Sequence, residues 1–168
     1  MAVFPTDTLY GIGCRPDDEA AIERVYALKG RPREKPSALM YFSPAAALEA
    51  HPGLGPRVRA AVEALLPGPV LLVLPGGKGV RVPALEGPPA GARVTVLQTS
   101  ANLSGGPDPR RLEDVPEPIR AGVDLVLDGG ELPGVPSTVV DLSRYENEEW
   151  VVLREGAVPR ERLGQVLD

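Results

Sequence analysis

Apolar positions in this chain recur in two rhythms, one helical and one of strand type. Between Asp18 and Leu28, the residues Ala21, Ile22, Val25, Tyr26 and Leu28 fall largely on one helical face. Pro16-Asp17-Asp18-Glu19 reads as an N-cap with acids in the first turn, and Gly30 and Pro32 end the pattern. A second amphipathic stretch, Gly55 to Leu66, runs through Val58, Ala61, Val62, Leu65 and Leu66 until Pro67-Gly68-Pro69 stops it. Weaker helical patterns lie near Arg110 to Arg120 and Pro159 to Leu167.

The shorter runs suit strands. Met1 to Phe4 is a very short apolar start, and Ser37 to Phe42 (SALMYF) is a short run of strand type. Val70 to Leu74 reads VLLVL, a continuous apolar run of the kind buried on both faces of a sheet. Val80 to Val82, Val94 to Leu97, Leu125 to Leu127, Val139 to Leu142 and Val151 to Leu153 follow, separated by Gly/Pro-rich turns. Six or seven strands with three to five helices interspersed predict an α/β sandwich on one twisted, mixed sheet. At 168 residues and 43% apolar content, a single domain over residues 1–168 is expected.

Composition narrows the class. No run reaches the roughly 18 apolar residues of a membrane span, and no basic segment leads into an apolar one at the start, so a cytoplasmic protein is expected. One cysteine, Cys14, excludes an internal disulfide and a cysteine-based metal cage. The lone histidine, His51, precedes Pro52-Gly53 in an expected loop with no partners for a triad or a metal centre. Glu146, Glu148 and Glu149 read as a solvated turn. A net charge of −5 argues against a protein dedicated to coating nucleic acid, while leaving room for a local basic groove.

Scarce residue types are unevenly placed. Of three lysines, Lys29 and Lys35 fall in KGRPREK, and four of five threonines fall in short polar segments. Five such segments end strands or helices: PTDTLYG (Pro5 to Gly11), KGRPREKP (Lys29 to Pro36), TSANLSG (Thr99 to Gly105), PSTVVDL (Pro136 to Leu142) and LREG (Leu153 to Gly156). Rigid elements hold binding groups at such places, so the five are expected to form one site. Lys29, Arg31, Arg33 and Lys35 would attract a polyanion such as a triphosphate; alone, the cluster would be a solvated helix end. TSANLSG offers three hydroxyls and an amide for phosphate, ribose or carboxylate, or else forms an ordinary turn. Ser137 and Thr138 stand at a strand mouth, or merely cap a turn after Pro136, and Arg154 ends another strand as a second phosphate clamp or a solvent-facing side chain. Neither GxxxxGK[ST] nor GxGxxG is present.

In order, PTDTLYGIGC, ALKGRPREKP, LPGPVLLVL, VRVPA, TSANLSG, PSTVVDL and LREGAV resemble the YrdC-like family of threonylcarbamoyl-AMP synthases, from Val3 to about Val158. The resemblance implies a YrdC-like open, twisted mixed sheet with helices packed on it and a concave, locally basic surface. It also implies a nucleotidyltransferase that condenses L-threonine, bicarbonate or CO₂, and ATP into threonylcarbamoyl-adenylate, releasing pyrophosphate. That product would supply the t6A modification at position 37 of tRNAs reading ANN codons, through downstream transfer proteins. Carried over by motif, Thr8, Arg81 and Ser137 would bind L-threonine, and Lys29, Arg31, Lys35, Ser100, Asn102 and Arg154 would bind ATP. Thr6, Thr99 and Thr138 are second-tier candidates. No protein-borne metal site is expected; Mg²⁺ would arrive with the nucleotide phosphates.

Departures from the family pattern are also visible. Only MAVF precedes PTDT, so one helix of the usual fold is missing or the start has been trimmed, and nothing resembles the extra C-terminal domain of the longer family branch. A single-domain form with a shortened N-terminus is therefore expected; the region around Arg81 is short, with a Gly/Pro-rich connection to TSAN. Asp108 stands where relatives often offer a hydroxyl. Two other readings follow: an RNA-binding module for tRNA or double-stranded RNA acting in translation or ribosome maturation, and a degenerate paralogue that binds nucleotide without synthesis.

Overall fold

The computed structural model of the protein describes residues 1–87 and 91–168. In chain order the first elements are β1 (Ala2–Pro5), β2 (Tyr10–Cys14), α1 (Glu19–Lys29), β3 (Ala38–Met40), α2 (Pro44–Ala50), α3 (Pro56–Leu65) and β4 (Val70–Val73). They are followed by β5 (Gly79–Arg81), β6 (Val96–Ser100), α4 (Glu117–Ala121), β7 (Leu125–Val126), β8 (Thr138–Asp141), β9 (Val151–Arg154) and α5 (Arg160–Leu167). Strands and helices interleave in the expected α/β manner, with parallel and antiparallel pairs mixed. No helix among the described residues is long and apolar enough to cross a membrane.

The chain gathers into two compact units, Met1–Leu39 with Thr95–Val135, and Met40–Val94 with Pro136–Asp168. In the first, β1 pairs antiparallel with β2 and parallel with β7, and β2 pairs antiparallel with β6. Helix α1 follows the sequence reading: the Asp18 carboxylate caps Ala21 N–H at 3.0 Å, and Gly30 closes the helix in the left-handed region at φ 56°. Its buried Ala21, Ile22, Val25 and Tyr26 pack with Val3, Tyr10, Ile12, Ala101, Val115 and Ile119. Burying Ile22 and Val25 contributes about 1.5–3 kcal/mol each, which helps hold α1 where Lys29 stands at its end.

In the second unit β4 pairs antiparallel with β5 and parallel with β8, and β8 pairs antiparallel with β9 across a bulge at Val139/Val140. Val58, Val62, Leu72, Val80, Val140, Leu142, Leu163 and Leu167 are among its buried apolar residues.

Several local expectations change. Nine strands form among the described residues, against six or seven expected: the very short apolar start becomes β1, and β2, with two glycines just after the polar Thr6–Thr8 turn, forms by pairing with β1 and β6. Val70, Leu72 and Leu74 are buried whereas Leu71 and Val73 are half-buried, so VLLVL alternates instead of being sealed on both faces. The Arg110 to Arg120 pattern yields only a 3₁₀ turn at Leu112–Asp114 and the five-residue α4, since Pro116 and Pro118 limit helical hydrogen bonding. Residues Thr99 and Ser100 belong to β6 itself. The acidic turn is engaged: Glu146 Oε1 accepts from Val58 N–H at 3.0 Å, Glu148 pairs with Arg57, and Glu149 pairs with Arg144. Glu146 thereby caps α3, whose N-cap Gly55 has no side chain to do so. His51 closes α2, with Nε2 3.1 Å from the Tyr41 hydroxyl. The Gly/Pro-rich connection after Arg81 lies partly outside the described residues.

Candidate functional site

The first unit brings three of the polar segments together. Antiparallel register pairs Gly11 with Ser100 and Ile12 with Thr99, so the turn preceding β2 and the loop following β6 leave the same end of the sheet. Tyr10 ties them further, its N–H donating to Pro109 O at 3.0 Å and its carbonyl accepting from Ala101 N–H at 2.8 Å.

In the Thr6–Thr8 turn both hydroxyls are buried. Thr6 Oγ1 donates to Leu9 O at 2.7 Å and accepts from the N–H groups of Thr8 (3.2 Å) and Leu9 (3.3 Å). Thr6 is therefore the staple of the turn, its single proton committed to backbone. Thr8 Oγ1 lies 3.2 Å from Thr6 Oγ1, within hydrogen-bond distance.

Lys29 is only 1% exposed, at the end of α1. Its ammonium donates to Ser100 O, to Asn102 O at 2.5 Å and to Asn102 Oδ1 at 3.1 Å, three acceptors for three protons. Ser100 Oγ also donates to Asn102 Oδ1 at 2.7 Å, and Asn102 Nδ2 donates to Gly106 O at 2.7 Å. The loop returns to the helix through Ser104 N–H on Lys29 O at 2.8 Å. A buried cation thus holds the shape of the Ser-Ala-Asn loop. Burial, helped by neighbouring Arg31 and opposed by Asp108, lowers the Lys29 pKa to about 8.

The four cations of KGRPREK differ in fate. Arg31, half-buried, donates from Nε to Lys35 O at 2.9 Å and from Nη2 to Pro36 O at 3.0 Å, pinning the loop. Arg33 pairs with Glu19 and Glu23 and lies 5.0 Å over the Tyr26 ring, a structural use. Lys35 is exposed. Tyr26 organises the same loop, its hydroxyl accepting from Ser37 N–H at 3.1 Å and donating to Lys35 O at 3.2 Å.

The second unit holds the remaining candidates. Arg81, in β5, is buried, and its carbonyl accepts from Tyr41 N–H at 2.9 Å. Arg154 Nη2 donates to Ser137 O at 2.8 Å, which brings those two residues together. Thr138 is spoken for: Oγ1 donates to Val158 O at 2.7 Å and accepts from Val158 N–H at 2.9 Å. Ser137 Oγ is the contrast, a buried hydroxyl with no hydrogen-bond partner among the described residues. A Cβ on Gly156 would stand 2.3 Å from Pro136 O, so the LREG and PST segments approach as closely as they do only because that residue is glycine.

Two features escaped the sequence reading. Tyr10 is fully buried with its hydroxyl on the Asp128–Gly130 turn, and Gly134 N–H donates to Thr8 O at 3.0 Å. The only available signal was Asp128-Gly129-Gly130, a tight-turn sequence without obvious chemistry.

The Sua5/YciO/YrdC family, described as telomere recombination, matches residues 1–156. A threonylcarbamoyl-AMP synthase of Pyrococcus abyssi is 34% identical over 99% of this chain and 53% of its own length, so the chain spans about half of that relative. The corresponding enzyme of Idiomarina loihiensis is 32% identical over 76% of this chain and 78% of its own. Among solved structures, P. abyssi Sua5 complexed with L-threonine superposes with a TM-score of 0.84 at 32% identity, covering 98% of this chain and 53% of that one. With the seven ordered motifs, the family match over most of its length and the shared fold, the chain belongs to the Sua5/YciO/YrdC family.

Proposed function

We propose that the protein is a threonylcarbamoyl-AMP synthase, using L-threonine, bicarbonate and Mg²⁺·ATP and releasing pyrophosphate. The observation that carries this is the buried Lys29 ammonium seated on Ser100 O, Asn102 O and Asn102 Oδ1. It sets positive charge beside a loop of hydroxyl and amide groups, with Arg31 on the adjoining loop and no histidine or cysteine nucleophile in it. That chemistry suits phosphoryl-centred transfer by positioning and charge stabilisation.

The threonine amine and bicarbonate first give a carbamate with loss of water. One carbamate oxygen then attacks the α-phosphorus while pyrophosphate departs, forming the mixed anhydride. Lys29 and Arg31 stabilise charge on the phosphates, Lys35 adds a mobile cation, and Ser100 and Asn102 hold the nucleotide. Thr8, Arg81 and Ser137 take the amino acid, for which the unpartnered buried Ser137 hydroxyl is the supporting observation. Arg154 assists the nucleotide while bracing Ser137. The adenylate would pass to tRNA-modifying transfer proteins in the cytoplasm.

The test is direct. The pure chain, incubated with ATP, Mg²⁺, bicarbonate and labelled L-threonine, should yield labelled adenylate and pyrophosphate only when all substrates are present. Binding of ATP without synthesis would sink the assignment and leave a nucleotide-binding paralogue; RNA binding that falls steeply with salt, with no synthesis, would favour an RNA-binding module.

A further inference from the structure

Pro5, Thr8 and Tyr10 share a second set of contacts that the substrate roles above do not use. The Tyr10 side chain is fully buried. Its hydroxyl accepts from Gly129 N–H at 2.9 Å and lies 3.0 Å from Asp128 Oδ1 and 2.9 Å from Gly130 O, the acceptors between which its one proton is shared. Asp128 Oδ1 also accepts from Gly130 N–H at 2.9 Å, which folds the turn around the phenol tip. Both glycines are required there: a Cβ on Gly129 would stand 2.6 Å from Pro5 Cγ, and Gly130 has φ 73°.

The segment then doubles back. Glu131 is gripped by Arg110 and Arg111, and Leu132 N–H donates to Arg110 O at 2.8 Å. It ends with Gly134 N–H on Thr8 O at 3.0 Å, at φ 79° with the Arg110 side chain 3.3 Å from where a Cβ would be. One strap, Asp128–Gly134, is therefore fastened at one end to the Tyr10 hydroxyl and at the other to the Thr8 carbonyl. The bond to Thr8 O restrains the peptide plane between Thr8 and Leu9, and the Tyr10 phenol fastens the other end of the strap, so the backbone that carries the Thr8 hydroxyl is held in place.

We propose that Tyr10 and the Asp128–Gly134 strap are positioning elements for Thr8, holding the amino-acid side of the site in shape while leaving the nucleotide side to Lys29. This rests on Thr8 contacting threonine, as in the proposed function. The strap acts through the Thr8 backbone, so its loss weakens threonine binding and spares ATP. The Lys29 cluster keeps its own acceptors, Ser100 and Asn102, none of which the strap touches.

The experiment uses the full chain with Tyr10→Phe, Asp128→Ala and Asp128→Asn. Tyr10→Phe should raise the threonine Kd and KM by about tenfold while ATP affinity stays within about twofold, and Asp128→Ala should shift in the same direction. Asp128→Asn keeps an Oδ1 acceptor and should restore threonine affinity to within about twofold of the unaltered chain. In all cases amide exchange at Gly134 is followed without substrate; Tyr10→Phe should speed it severalfold. Unchanged threonine affinity despite a lower melting temperature, equal weakening of threonine and ATP, or unchanged Gly134 exchange would each overturn the proposal. If the unaltered chain binds no threonine, the proposed function fails, and the Gly134 exchange still decides whether the strap holds Thr8.

Discussion

Lys29 and Ser137 are both buried polar side chains in the family's motifs, and they are opposites. Lys29 has three protons and three protein acceptors, so its ammonium is satisfied within the protein. Ser137 Oγ has no partner among the described residues, while its neighbour Thr138 is bonded to Val158 in both directions. Burying a hydroxyl without a hydrogen bond costs about 1–3 kcal/mol, an expense that folding alone does not recover. The satisfied cluster holds the shape of its loop, whereas the Ser137 hydroxyl is the buried group on which the proposed threonine contact rests.

The comparison can be broken most forcefully at Lys29. Lys29→Ala leaves Ser100 O and Asn102 O without their donor and should reduce adenylate formation by about 10²–10³-fold, measured with labelled threonine, while circular dichroism shows the fold retained. Full activity in that variant would remove Lys29 from the site. At the other pole, Ser137→Ala should raise the threonine KM by about tenfold with no loss of melting temperature, since an unpaired group has been deleted. Thr138→Val should do the reverse, lowering unfolding free energy by about 1–2 kcal/mol in a urea titration and leaving KM alone. Equal behaviour of the two variants would erase the distinction.

A pH series sharpens the Lys29 pole. Its pKa falls from the ordinary 10.5 to about 8 in the folded chain, chiefly through burial. The unfolded chain therefore binds more protons between about pH 8 and pH 10.5, and this group's contribution makes stability rise with pH across that window. Below about pH 8 the burial penalty is complete. ATP affinity should move the other way, weakening severalfold as pH rises from about 7 to about 9 and the ammonium discharges, and Lys29→Met should abolish that dependence in calorimetric titrations. The smallest effect belongs to Arg33→Ala: its charge is already occupied by exposed Glu19 and Glu23, so synthesis rates should change by less than about twofold.

Where sequence reasoning succeeded, the determinant was local. Asp18 ahead of an apolar-periodic run and Gly30 behind it specify α1 because capping and the left-handed C-cap need only neighbouring residues. The motif order likewise put Lys29, Ser100 and Asn102 on one list, because family resemblance is itself a property of the string, and the fold joins the three by hydrogen bonds. Legibility failed where one element's character depends on a distant one. β2 carries two glycines and follows a polar turn, and it becomes a strand through pairing with β1 and with β6, which begins 86 residues after Tyr10. From their charge alone the other three KGRPREK cations looked equivalent to Lys29, but Arg33 folds back to Glu19 and Glu23 at the start of α1, and only Lys29 is buried.

The string of residues by itself determined the family, the interleaving of strands and helices, and the short list of side chains with chemistry to offer. The tertiary structure alone decided that Lys29 is satisfied within the protein and that Ser137 Oγ has no hydrogen-bond partner among the described residues. It also recruited Tyr10 and the Asp128–Gly134 strap, more than a hundred residues apart, to the Thr8 turn. The physical reason is that capping and periodicity act over one or two turns of chain, whereas burial, hydrogen-bond satisfaction and the shift of a lysine pKa depend on what distant segments bring to the same few ångströms.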